Sequence, residues 1–244
     1  MDVSSLTEHL AADGPVFAAA AAHSDWDAPV PRTDWTVRQL VTHLGGVQRW
    51  AADIIETGSA TGATAAGAAV GIGPRDADLV EWFLDGHRAL VEALSSAPAD
   101  LDCFTFLPAD SPLHFWARRQ AHEMAIHRAD AQAAARHGVT AFDTDFAQDG
   151  IAEMLLGFAA RRTNAIDRAA TLALRPNDEG PPWLVRLGGE RIAAERGDPS
   201  DADVTVAGTS SELYLWLWNR TSLPEVTGDA QVAALWQNVR VRWS

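Results

Sequence analysis

The hydrophobic period of this chain changes once, near residue 168, and that change most limits the folds open to it. Before it, apolar residues recur at the three- and four-residue spacing of helices; after it, they fall in short alternating runs with turn glycines between them. The first pattern predicts helices over about 6–23, 37–56, 76–96, 112–137 and 144–164. The second predicts strands in T-L-A-L-R-P (171–176), W-L-V-R-L-G-G (183–189), R-I-A-A-E-R-G (191–197) and D-V-T-V-A-G (203–208). T-S-S-E (209–212) has the S/T-x-x-E form of a capping box and opens a helix through E-L-Y-L-W-L-W-N-R, and a last helix follows Asp229. The chain therefore reads as α+β: a helical domain over 1–167 and a small α/β domain over 168–244.

Composition removes several classes of function. A chain of 244 residues that is 47% hydrophobic can bury a sizeable core. No apolar run reaches the roughly 20 residues of a bilayer span, and M-D-V-S-S-L-T-E-H-L lacks the basic and apolar regions of a signal peptide. A cytoplasmic protein without a membrane partner is expected. The net charge of −14 would repel a nucleic acid. All 19 basic residues are arginine, which with the alanine bias suggests a high-GC bacterial source. Cys103 is the sole cysteine, so no disulfide framework or multi-cysteine zinc site exists; beside Asp102 it reads as a small packed residue rather than a nucleophile. Residues 58–73 carry five glycines and no charge, and read as a flexible loop, either a lid or a tolerated insertion.

Two helices carry the candidate chemistry. In D-W-T-V-R-Q-L, Thr36 and Gln39 form a capping box, and Trp35 and Leu40 occupy hydrophobic-staple positions. That fixes the helical phase and places His43 at the edge of the apolar stripe. Gly45 and Gly46 follow at once; each costs about 1 kcal/mol against alanine in mid-helix, so a close backbone approach is expected there.

In A-R-R-Q-A-H-E-M-A-I-H-R-A-D (117–130), helical phase separates the charges. Glu123, His127, Trp116, Gln120, Arg119 and Asp130 fall within about 60° of one another's common face, while His122 and Arg128 point about 100° or more away. Glu123 and His127, one turn apart, can chelate one cation, and a facing His43 would complete a His₂Glu set with a fourth position free. Asp130 could accept the second ring N–H of His127, and Arg119 could hold Glu123. The competing reading is an ordinary helix with i, i+4 ion pairs.

Three motifs in order, W-T-V-R-Q-L-V-T-H-L-G-G-V-Q-R-W-A, R-x-x-x-E-x-x-x-H-R-x-D and L-W-L-W-N-R, resemble those of the mycothiol-dependent maleylpyruvate isomerase family. The resemblance implies a DinB-like metal-binding four-helix bundle followed by a small α/β domain. It implies a divalent metal, usually zinc, on His43, Glu123 and His127, and mycothiol as the thiol cofactor. The thiolate would add to a small electrophilic carboxylate such as maleylpyruvate; rotation and loss of the thiol would give the trans isomer, and S-transfer could use the same parts. The C-terminal arginine of the family, with a substrate or catalytic role, falls on Arg220, which could equally be a cation favoured by a helix C-terminus. Two alternatives stand beside the thiol enzyme: a metal-dependent hydrolase of a small molecule, and a non-enzymatic metal- or ligand-binding protein.

Overall fold

The computed structural model describes residues 1–161, 166, 168–197, 201–222, 224–239 and 241. Backbone packing divides the chain into two compact units, Met1–Thr140 and Ala141–Ser244.

The first unit is a four-helix bundle of α1 (Val3–Ala22), α2 (Val37–Thr57), α4 (Asp76–Ser96) and α5 (Pro112–Ala134), with a one-turn helix α3 (Ala65–Ala68) between α2 and α4. Each long helix but α4 begins at a side-chain cap. Asp2 accepts from Ser5 N, Ser111 accepts from His114 N ahead of Pro112, and Thr36 and Gln39 exchange both bonds of the expected box. Leu40, Leu44 and Ile54 of α2 and Phe83 and Leu90 of α4 are completely buried in the core.

The paired glycines of α2 have separate partners. A Cβ on Gly45 would stand 2.3 Å from the Trp82 ring of α4, and one on Gly46 would stand 2.9 Å from Val70 Cα. The glycine-rich segment 58–73 thus lies against α2; the Trp50 indole also donates to Gly62 O at 2.8 Å.

Helix α5 has no exposed face through its middle turns. Every residue from Arg119 to Gln132 is buried. The face opposite Glu123 packs on α1: Arg128 Nε lies 3.0 Å from Asp13, His114 meets Met1 O at 3.0 Å, and Ala117, Ala121 and Ala125 share that side. Small residues there let α1 approach closely, so α5 is lined by protein on both sides.

The second unit holds a five-stranded sheet in the order β3-β2-β1-β4-β5. Its strands are β1 (Ala170–Pro176), β2 (Trp183–Leu187), β3 (Ala193–Arg196), β4 (Val204–Gly208) and β5 (Glu225–Gly228), and only the β1–β4 pairing is parallel. Helices α7 (Ser210–Leu217) and α8 (Ala230–Leu235) pack on it, and Thr209 and Glu212 form the expected box. Strand β5, too short to show alternation, was not expected from the sequence.

Helix α6 (Thr144–Ala152) continues through a wider π-type stretch, Glu153–Phe158, and a 3₁₀ turn, Ala159–Arg161; the expected end at Asn164 lies outside the described residues. This helix belongs to the second unit, not the first. The Tyr214 ring of α7 lies so close to Gly150 that a Cβ there would meet it at 2.4 Å, and Phe142 stands edge-on to Tyr214 at 5.3 Å. The hydrophobic period changes near residue 168, whereas packing divides the chain at 140, because α6 is helical in pattern yet buries its apolar face against α7. No described helix is long and apolar enough to cross a membrane.

Candidate metal centre

His43 and Glu123 are brought together because α2 and α5 pack face to face. Glu123 Oε1 lies 3.3 Å from His43 Nε2 and 3.2 Å from His127 Nε2. The three donor atoms all lie within 4.8 Å of one another, and all three residues are buried. Ligands about 2.0–2.2 Å from a tetrahedral zinc stand about 3.3–3.6 Å apart. The two measured separations sit near that edge length, so this donor set fits one small divalent ion.

Buried partners hold the donors in place. Arg119, fully enclosed, donates from Nη2 to Glu123 Oε2 at 2.9 Å, leaving Oε1 turned toward the histidines. His127 Nδ1 donates to Asp130 Oδ2 at 2.9 Å, which fixes its tautomer and aims Nε2 at the site. The Trp35 ring covers both imidazoles, with centroids 4.6 Å from His43 and 5.6 Å from His127.

The electrostatics follow from this geometry. Burial alone would raise the Glu123 pKa. The His127 charge, hydrogen bonds from His127 and His43, and Arg119 outweigh it and hold the carboxyl well below its ordinary range. Burial would likewise lower His127, but Glu123 and Asp130 raise it to about 9 without a metal. The extra proton on His127 thus faces Glu123 Oε1 where a cation would sit.

His122 is fully buried on another side of α5 and is absent from the donor set, as its phase implies. Arg220 lies in the second unit just past α7; its backbone N–H donates to Leu215 O and its Nη1 to Trp218 O. The first unit alone therefore assembles three of the four expected site residues. Burial pushes the Cys103 thiol pKa up, and Asp102 pushes it further, against a hydrogen bond with Trp116. That environment disfavours a nucleophilic thiolate. The contact of Trp35 with both histidines was missed from the sequence. Its position before the helix cap identified a staple, and nothing in the spacing indicated a cover for residues on two helices.

The mycothiol maleylpyruvate isomerase N-terminal domain model matches residues 7–132, and the C-terminal domain model of the same family matches 145–235. The chain belongs to the mycothiol maleylpyruvate isomerase family. A solved mycothiol-dependent maleylpyruvate isomerase superposes with a TM-score of 0.66 at 15% identity, covering 94% of both chains. A mutant of such an isomerase superposes with a TM-score of 0.65 at 13% identity, covering 91% of both. At these identities the two structures establish the shared fold, an α+β architecture with a helical bundle followed by a small sheet-containing domain. No curated protein sequence matches the chain.

Proposed function

We propose that this family member is a metal-dependent isomerase or S-transferase that uses a low-molecular-weight thiol, mycothiol, on a small electrophilic carboxylate such as maleylpyruvate. The observation that carries the reading is the donor set of His43, Glu123 and His127, spaced for one ion and supported by Arg119 and Asp130. Family membership supplies the thiol and the substrate class.

A zinc ion held by His43, Glu123 and His127 would supply a positive charge that favours the thiolate form of a nearby thiol. The chain's own residues do the rest. Glu123 would contribute the one negative charge among the residues holding the ion, leaving the loaded donor set net positive. His127 surrenders its proton on loading and stays aligned through Asp130. Trp35 keeps bulk water from the imidazole faces, which strengthens every charge interaction beside them. Arg220 is assigned to the substrate carboxylate, which its planar guanidinium can grip through two parallel hydrogen bonds. A free small thiol and a small acid are expected partners in the cytoplasm, and the net charge of −14 argues against a nucleic acid.

The test is metal content by mass spectrometry, followed by maleylpyruvate turnover with and without added thiol. About one metal ion per chain and thiol-dependent turnover are expected. Protein purified without stoichiometric metal would overturn the scheme. Turnover of an ester or amide without thiol would instead point to water at the open position and a hydrolase.

A further inference from the structure

Gln120 is 1% exposed, and neither its Nε2 nor its Oε1 has a hydrogen-bond partner. It lies on the face of α5 that meets α2. One turn before it, Trp116 stands edge-on to Trp50 of α2 at 5.2 Å. One turn after it, Glu123 meets His43 of α2 at 3.3 Å. Gln120 therefore lies between that tryptophan pair and the donor set, within about one helical turn of Glu123.

A buried amide with no partner carries its full desolvation penalty, and native interiors rarely leave one so unless a water or ligand supplies the missing bonds. Leucine or methionine would fill the same volume without that penalty. The carboxamide also limits its complement. A carboxylate would accept from the NH₂ group but leave Oε1 empty, and a single hydroxyl would satisfy one atom at a time. A second amide satisfies both at once.

We propose that Gln120 contacts the ligand of this site, its carboxamide pairing with an amide close to the sulfur of a bound thiol. The Nε2 group donates to the ligand carbonyl while Oε1 accepts from the ligand N–H. A thiol carrying a secondary amide near its sulfur has the required chemistry. The inference rests on the thiol reading above and makes Gln120 the residue that distinguishes an amide-bearing thiol from a plain one.

The test uses the full chain loaded with cobalt, whose thiolate absorption band reports sulfur binding. N-acetylcysteamine is titrated against propane-1-thiol, which lacks the amide. The wild type should prefer N-acetylcysteamine. Gln120→Leu should lose about tenfold in affinity for it, the loss of one or two hydrogen bonds, with propane-1-thiol binding and metal content unchanged. The thermal midpoint of the thiol-free variant should be equal or higher, because an unpartnered polar group has been removed. Gln120→Met, closer in shape to glutamine, should behave alike and guards against misfolding of the leucine variant. Equal effects on both thiols, no effect on either, or a lowered thermal midpoint in both variants would overturn the proposal. If the cobalt-loaded wild type binds neither thiol, the functional reading falls and this one with it; if it binds both and the variants match it, only this one falls.

Discussion

Loading the metal at neutral pH must expel a proton from His127. In the metal-free protein Glu123 and Asp130, acting against burial, raise its pKa from 6.5 to about 9. At pH 7 roughly one molecule in a hundred then has the neutral imidazole that a metal needs. Apparent affinity should rise about tenfold per pH unit between pH 7 and 9, a gain of about 100-fold, and then level off. Glu123 adds no competition in that range, since its carboxyl stays ionised well below neutrality. Chelator competition from pH 6.5 to 9.5 measures the slope. Calorimetry in two buffers of different ionisation enthalpy should count about one proton released per metal at pH 7. The same proton stabilises the metal-free fold. Because the folded pKa is raised, its contribution of ~3 kcal/mol is complete below about pH 6.5 and is lost as pH rises through about 9. An affinity flat from pH 7 to 9, with no proton release, would refute the account of a proton held between His127 and Glu123.

Two further substitutions probe the same helices. His127→Ala should abolish stoichiometric metal, whereas His122→Ala should retain it whatever it costs in stability, as mass spectrometry of the two variants will report. Gly45→Ala should lower stability by about 1–3 kcal/mol, because its Cβ would stand 2.3 Å from the Trp82 ring; thermal melting against the wild type measures it.

Local signals were legible where one segment carried its own evidence. The Thr36–Gln39 box and the Thr209–Glu212 box are both formed, and the glycine pair in α2 does mark close approach. Helical phase separated Glu123 and His127 from His122. What could not be read depended on partners distant in sequence. Helical phase turned Arg128 away from Glu123 but could not show that it is buried against α1, where Asp13 neutralises it. Helix α6 carries no mark that its apolar face belongs to α7 rather than the bundle. Trp35 came to cover two imidazoles because α2 and α5 pack together, which no single helix reveals.

The double-sided burial of α5 ties two registers to one screw. One side positions Glu123, His127 and their supports, and the other seats α1 through Arg128 and the small alanines. Adding or deleting one residue between Arg119 and Asp130 would turn one half of that helix by about 100° against the other. No rotation could then restore both faces. Segment 58–73, which touches α2 mainly through glycines and a carbonyl, has no such lock. Variation in chain length through this lineage should therefore collect in that segment and be purged from α5, making the spacing of the α5 motif a more durable mark of descent than most of its residues.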